Sequence, residues 1–399
     1  MLPISHTERE QTARQILVHC VSSSLAATPN LLRYLNQSDK ATREEIFDQG
    51  KREGLLPLLL LQLEREHPGT AVAELAALIR PDVVGARTWS LLRARATIDI
   101  VRQFESAEIE VKAIKGQLLS QAIYGDPACK RSSDIDVIVR PHRAAMAAAK
   151  LAALGYKCSL NPAWFSDSSF LRLQKEATFS TLGGALCVDL HWGLVNRWNA
   201  CPVELDEIFQ PAHSIQLLGS TLPWFQPDVL WRIQLGHLIS SGWDGLKTFV
   251  DFAHVTDRLS VAELGNALRR CESIGALDQA IASLRVNEVL FGRSVQTAAA
   301  PFVGSANARR VSQIVRHCIA QLSVATAQQP ISASARWWHD MRLANTYGQF
   351  MGTAASLWIP AMADYEQAIP PTSDLRLLTA MLMRRTRKRF KRGAAMSSH

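Results

Sequence analysis

Residues 111–156 read VKAIKGQLLSQAIYGDPACKRSSDIDVIVRPHRAAMAAAKLAALGY and decide the fold of this chain. Apolar and charged residues alternate over 109–113, which predicts a short, half-buried strand that ends before Lys115 and Gly116. A helix is expected over 117–124, because a Gly-Asp-Pro sequence follows it and stops it. The stretch therefore predicts a strand, a glycine turn and a short helix, followed by a second strand and a longer helix.

The second predicted strand, residues 134–139, begins with Asp134 and Asp136. Residues i and i+2 of a strand face the same side, so the two carboxylates project together while Ile135 and Val137 point into the core. Adjacent carboxylates repel each other, and a divalent cation would relieve that repulsion. Mg²⁺ prefers such oxygen ligands together with the phosphates of a nucleotide. The alternative is that both aspartates lie in a solvated turn before the strand.

These motifs resemble the nucleotidyltransferase fold of the DNA polymerase beta type, in which a glycine turn opens a helix and an Asp-x-Asp strand follows. More closely, the chain resembles the bacterial uncharacterised nucleotidyltransferase family. The matching blocks are Lys115-Gly116, Tyr124, Arg131, Asp134-Ile135-Asp136 and Leu154-Gly155-Tyr156. A further block, Val188-Asp189-Leu190-His191-Trp192, resembles the strand that carries the family's third carboxylate.

The glycine turn departs from the superfamily pattern at one position. The usual Gly-Ser turn reads Gly116-Gln117 here, so the serine hydroxyl that would contact the nucleotide phosphates is missing. The resemblance still implies nucleotide binding by Lys115, Gly116, Gln117 and Arg131. Lys115 can supply a point charge to the phosphates in place of the hydroxyl.

Asp189 is the candidate third carboxylate. Two strand-like runs, 177–182 and 185–192, flank Gly183-Gly184, and a two-residue glycine connection predicts a hairpin with a type I′ turn. Asp189 then shares a face with His191 and serves as a metal ligand or as a base for an acceptor hydroxyl. The alternatives are a surface aspartate and, for His191, a residue that orients Asp189, contacts substrate or is purely structural.

The C-terminal half contains a second set of candidate residues on predicted helices. His237, Lys247 and Asp251 resemble a His, Lys and Asp pattern of the same family, which implies contacts with the nucleotide or the acceptor. Single polar residues on helices are more often surface or capping groups, and that interpretation stays open. Helices are expected on both sides of the core, at 72–78, 81–106, 228–240, 246–258, 261–274, 278–291, 306–325 and 336–347.

Composition indicates an ordinary globular protein. The 399 residues are 47% hydrophobic and carry a net charge of +8, but seven of the positive charges lie within 384–392, so the remainder is near neutral. A nucleic-acid partner is therefore not expected. The seven cysteines form no Cys-x-x-Cys pair, which favours reduced thiols. No apolar run approaches the ~20 residues of a membrane span, and no signal pattern opens the chain, so a cytoplasmic location is expected.

We therefore expect an α+β fold of the polymerase-beta-like nucleotidyltransferase type, with a small mixed sheet flanked by N-terminal and C-terminal helical regions. The expected division is a helical region at 1–106, a nucleotidyltransferase core at 107–225, a helical domain at 226–383 and a basic tail at 384–399.

The resemblance implies transfer of a nucleoside monophosphate from an NTP, with ATP as the expected donor, to an unknown acceptor with release of pyrophosphate. Asp134, Asp136 and Asp189 would hold two Mg²⁺ ions. The acceptor is a small molecule, peptide or protein, and modification of a small antibiotic is one form of this activity. The alternative function is a catalytically silent protein that retains the fold and binds a nucleotide or a peptide.

Overall fold

In a computed structural model of the chain, the structure describes residues 6–22, 35–65, 70–194, 201–210, 213–243, 245–292, 296–323 and 362–366. The helix predicted at 336–347 and the basic tail at 384–399 lie outside the described residues. None of the described helices is both long enough and apolar enough to cross a membrane. None of the seven cysteines, all of which lie within the described residues, forms a disulfide bond.

Four helices precede the sheet within the described part of the chain. They are α1 (His6–Ser22), α2 (Lys40–Arg52), α3 (Leu56–Arg65) and α4 (Thr70–Glu105). The prediction of two separate helices on either side of Pro81 was wrong, because α4 continues through this proline. Proline removes one helical N–H donor. Ile79 and Val83 on either side of it are buried, and this burial on the core keeps the helix continuous.

The central sheet has four strands, β1 (Val111–Ala113), β2 (Ile135–Val139), β3 (Glu176–Ser180) and β4 (Cys187–His191), in the spatial order β1-β2-β4-β3. β2 is antiparallel to β1 and parallel to β4, and β3 is antiparallel to β4. The expected small mixed sheet in an α+β fold is confirmed. The prediction that β1 is half-buried was wrong, because Lys112 is buried like Val111 and Ala113 and its ammonium donates to the carbonyl oxygen of Trp224 at 3.0 Å.

Three helices connect these strands: α5 (Gly116–Tyr124), α6 (Ala144–Ala153) and α7 (Ser168–Leu173). Gly125 ends α5 with a φ of 75°, which fits the predicted glycine stop. On the core face of the sheet, β2 contributes Ile135 and Val137, and β4 contributes Val188 and Leu190, all at most 2% exposed. This apolar face leaves the aspartates of both strands on the opposite face.

The hairpin between β3 and β4 has a longer connection than the sequence predicts. Gly183 and Gly184 do adopt positive φ angles of 83° and 70°. The turn hydrogen bond, however, joins the N–H of Gly184 to the carbonyl oxygen of Thr181 at 2.9 Å. The Thr181 hydroxyl accepts the N–H of Leu186 at 3.1 Å, and this side-chain bond stabilises the longer turn in place of the two-residue type I′ turn.

The other described elements follow the sheet. They are α8 (Leu205–Ile208), the hairpin strands β5 (Ser214–Leu217) and β6 (Ser220–Pro223), and the helices α9 (Pro227–Ser240), α10 (Leu246–Thr256), α11 (Val261–Ser273), α12 (Leu277–Phe291), α13 (Gln296–Val303), α14 (Ala308–Ser323) and α15 (Met362–Tyr365). Of these, α9 and α10 position the polar residues that face the sheet.

Candidate metal centre and anion site

Asp136 on β2 and Asp189 on β4 lie directly beside each other, because the parallel register pairs these two residues. The potential ligand atoms of Asp136, Asp189 and His191 all lie within 4.8 Å of one another. Thr178 on β3 pairs with Asp189 on the other side. One row of polar residues across the three strands therefore consists of Asp136, Asp189 and Thr178. Strand pairing therefore builds a carboxylate pair on the face of the sheet opposite the apolar core.

His191 connects this pair to a third carboxylate. Its Nε2 lies 2.9 Å from Oδ1 of Asp136, and its Nδ1 lies 3.0 Å from Oε2 of Glu176, off the axis of a hydrogen bond. Burial lowers the pKa of His191, but the contacts with Asp136 and Glu176 outweigh it and raise the pKa above its ordinary value. Both contacts favour the protonated imidazole, and through its hydrogen bond His191 orients Asp136 and not Asp189.

The two aspartates differ in their electrostatics. Burial raises the pKa of Asp136, yet the hydrogen bond from His191 and the charge of Lys115 bring it down to about 2. For Asp189, burial raises the pKa, and the charges of Asp136 and Asp134 raise it further. The Thr178 hydroxyl donates to Oδ1 of Asp189 at 2.6 Å. Asp189 thus experiences the repulsion that a bound cation would offset.

Asp134 lies one residue before β2, outside the group formed by Asp136, Asp189 and His191. The Ser132 hydroxyl lies 2.9 Å from Oδ1 of Asp134 and ties it to the glycine turn. Gly116 has a φ of 60°, and a Cβ built on it would lie 3.6 Å from the Ser132 hydroxyl oxygen. Glycine is favoured at this turn because of its positive φ.

The glycine turn places one cation and one amide beside the carboxylates. Nζ of Lys115 lies 4.0 Å from Oδ1 of Asp136. Gln117, in the first turn of α5, is 2% exposed, and its Nε2 is buried with no hydrogen-bond partner among the described residues. The side chain at the position where the superfamily pattern predicted a serine is thus packed inside the protein.

A second charged cluster lies on α5, α10 and the segment before β2. The Lys130 ammonium forms a buried ion pair with Oδ2 of Asp251, and the Tyr124 hydroxyl donates to Oδ1 of Asp251 at 2.8 Å. One turn away on α10, the Lys247 ammonium donates to the Arg131 carbonyl oxygen. Asp251 is 4% exposed, so the surface or capping interpretation does not hold for it.

His237 on α9 lies between the two clusters. Burial lowers its pKa, and the charges of Lys115 and Lys130 lower it further, to about 3. The charges of Asp251 and Asp136 raise the pKa of His237, but by less, so its pKa depends on charges of both clusters. The imidazole is therefore neutral at physiological pH and presents one donor and one acceptor.

The predicted site residues lie in one region of the molecule, with a qualification for Arg131. The carbonyl oxygen of Arg131 accepts the hydrogen bond from the Lys247 ammonium, while the side chain of Arg131 is exposed. Four participants had no separate prediction: Thr178, Glu176, Lys130 and Ser132. The period of two along β3 places Glu176 and Thr178 on the face next to His191 and Asp189, and this signal was available once β3 was paired with β4.

Comparison with known proteins identifies the family of the chain. No curated protein and no solved structure matches the chain. The family model described as Uncharacterised nucleotidyltransferase matches residues 39–292, which is more than half of the chain and includes the whole four-stranded sheet. The chain therefore belongs to the uncharacterised nucleotidyltransferase family and is a transferase of phosphorus-containing groups.

Proposed function

We propose that the protein transfers a nucleoside monophosphate from an NTP, with ATP as the expected donor, to a hydroxyl of an acceptor and releases pyrophosphate. The observation that carries this proposal is the pairing of Asp136 and Asp189 on neighbouring parallel strands, beside the Lys115-Gly116 turn. Family membership gives the reaction class, and this geometry supports the direct transfer to an acceptor.

The carboxylates fit a hard divalent cation. Asp136 and Asp189 offer oxygen ligands, which are the ligands that Mg²⁺ prefers. The hydrogen bonds that orient Asp134, Asp136 and Asp189 all use Oδ1, so Oδ2 of each remains suited to a ligand. In our proposal these three residues hold two Mg²⁺ ions, which when bound neutralise the triphosphate and lower the pKa of the acceptor hydroxyl.

The residues of the chain have the following roles in the proposed reaction. Asp189 accepts the proton of the acceptor hydroxyl through its carboxylate. The hydroxyl oxygen forms a bond to the α-phosphorus, and the bond from that phosphorus to the oxygen bridging to the β-phosphorus breaks, so pyrophosphate leaves. His191 holds Asp136 in place by its 2.9 Å hydrogen bond. The Lys115-Gly116 turn supplies an ammonium and backbone N–H groups to the phosphates.

Four residues outside the sheet complete the proposal. In our proposal, His237, Lys247 and Arg131 hold the nucleotide or the acceptor, while Asp251, for which the same role was expected, acts through its ion pair with Lys130. The acceptor itself is a hydroxyl-bearing small molecule, peptide or protein.

The test is pyrophosphate release from each common NTP with Mg²⁺, with a cell extract as the source of acceptors. Asp136→Asn keeps an oxygen acceptor for His191 but removes the ligand charge, so release should fall by about 100-fold or more. Asp206→Asn is the matched control, because Asp206 is a surface aspartate with a side chain 89% exposed. Full activity of Asp136→Asn would refute the assignment.

A second candidate function is nucleotide or peptide binding without catalysis. Gln117 is the observation that favours it, because the serine hydroxyl is replaced by a buried amide. Thermal stabilisation of the protein by an NTP that needs no metal, together with no pyrophosphate release, would support this second function and contradict the first.

A further inference from the structure

Lys130, Arg131 and Lys247 bring three positive charges together at one end of the carboxylate site. Lys130 is paired with Asp251, but Lys247 bonds to a carbonyl oxygen and the Arg131 side chain is exposed. Among the described residues, neither Lys247 nor Arg131 forms an ion pair with a carboxylate. This group, which we name the cationic cluster, therefore has more positive than negative charge.

The lowered pKa of Lys247 agrees with the excess of positive charge in the cationic cluster. Burial lowers its pKa, and the charge of Lys130 lowers it further, to about 8. The charge of Asp251 and, to a smaller extent, that of Asp134 raise the pKa of Lys247, which places Lys247 within the field of one of the proposed metal ligands as well. An anion bound at the cationic cluster would offset the positive charge and lie next to the carboxylates.

The N-terminal helices fix the position of the cationic cluster. Oε2 of Glu53, just after α2, accepts the N–H of Leu246 at 3.0 Å, and Nη1 of Arg14 donates to Oε1 of the same Glu53 at 2.6 Å. A Cβ built on Gly54 would lie 4.0 Å from both Nζ of Lys247 and Cβ of Arg131. The end of α2 therefore packs against the start of α10, beside Lys247 and Arg131.

Asp251 and Tyr124 have a supporting role in this arrangement. Asp251 accepts from the Lys130 ammonium through one oxygen and from the Tyr124 hydroxyl through the other. Both oxygens are therefore engaged, and the carboxylate is 4% exposed. Asp251 is thus poorly placed to contact a nucleotide directly, and it holds Lys130 one helical turn from Lys247.

We propose that Lys247 and Arg131 bind the β- and γ-phosphates of the donor, with Lys130 beside them, and that Asp251 and Tyr124 are positioning residues. The identity of the ligand rests on the proposed function, while the cationic cluster itself rests on the contacts above. The pyrophosphate end of the nucleotide then lies on the α10 side of the carboxylates, and the leaving group departs along this side.

Inorganic tripolyphosphate is the probe, titrated calorimetrically into the full-length protein in the presence of EDTA. Each of Lys247→Met and Arg131→Met should weaken binding by about 10- to 100-fold, because each loses a charge-assisted hydrogen bond to phosphate. Lys247→Arg should keep the affinity. Arg269→Met is the matched control, since Arg269 is an exposed arginine on α11 and should bind like the wild type.

The positioning role has its own readout. Tyr124→Phe keeps the ring and removes the hydroxyl, so it should weaken tripolyphosphate binding several-fold and raise the KM for the NTP at an unchanged kcat. Loss of packing alone would lower the melting temperature and leave the affinity of the folded protein unchanged. A Tyr124→Phe variant with wild-type affinity would therefore refute the positioning role.

The outcomes separate this inference from the proposed function. Asp136→Asn should still bind tripolyphosphate in EDTA, so a protein that binds it through the cationic cluster but releases no pyrophosphate contradicts only the proposed reaction. A protein that releases pyrophosphate while Lys247→Met and Arg131→Met keep the wild-type KM contradicts only the cationic cluster. Absence of tripolyphosphate binding by the folded wild type would also overturn the inference.

Discussion

Replacing Asp251 with asparagine should destabilise the protein by about 3–5 kcal/mol, because it leaves the Lys130 ammonium buried without a counter-charge. The two side chains are only 10% and 5% exposed, so water cannot take over the lost role. The Tyr124 hydroxyl can still donate to the asparagine oxygen, so this hydrogen bond adds little to the loss. The expected cost therefore comes almost entirely from the unpaired charge.

The double variant Asp251→Asn/Lys130→Met isolates this cause. It removes both charges and keeps an apolar chain of similar length, and replacing a buried pair by apolar groups is often close to neutral. We expect it to recover most of the stability that the single variant loses. Asp206→Asn is the surface control, since Asp206 pairs with Arg140 at 2.7 Å but is 89% exposed, and such pairs contribute about 0–1 kcal/mol.

The assay is urea unfolding at pH 7, followed by far-ultraviolet circular dichroism, with the four proteins compared at equal concentration. The midpoint of Asp251→Asn should fall clearly below those of the wild type and Asp206→Asn. Equal losses in Asp251→Asn and in the double variant would refute the reasoning, because the unpaired charge would then have no cost.

Three further predictions concern other parts of the site. The pKa of His237 is about 3 in the folded protein and near 6.5 in the unfolded chain, so unfolding takes up a proton between these pH values. The free energy of unfolding should therefore fall as the pH is lowered below 6.5. The variant His237→Asn should flatten this pH dependence in urea titrations, and equal slopes for variant and wild type would contradict the prediction. Gly116→Ala should cost about 1–2 kcal/mol because of the positive φ, whereas Gly85→Ala, in open space within α4, should not destabilise the protein in the same titrations. Mg²⁺ at 100 times its Kd should stabilise the wild type by about 2.7 kcal/mol, and calorimetric melting should show no such gain for Asp189→Asn.

The Asp-x-Asp strand could be predicted because its determinants are local. Alternation of apolar and polar residues depends only on the period of the backbone, so the burial of Ile135 and Val137 opposite Asp136 followed from the sequence. The resemblance supplied the third carboxylate, and the structure places Asp189 beside Asp136. The expected polymerase-beta-like type and the domain boundaries after residues 106, 225 and 383 stay predictions.

The longer helix α4 and the longer β3–β4 connection could not be predicted for related reasons. The sequence shows a proline and a glycine pair, each with a strong local preference. Burial of the residues around Pro81 against other parts of the chain outweighs the preference of proline to end a helix. The hydrogen bond from the Leu186 N–H to the Thr181 hydroxyl outweighs the preference of the glycine pair for a two-residue turn. Neither interaction can be derived from the propensities of the individual residues.

The sequence by itself determined the period of the strands, the glycine turn and the carboxylates at the start of β2, because each depends on neighbouring residues in the chain. Only the tertiary structure decided which charges are paired. Lys130 and Arg131 are adjacent and carry the same charge, yet one is buried against Asp251 and the other is exposed. The difference arises from the packing of α10 against α5 and the segment before β2, which brings together groups more than 100 residues apart.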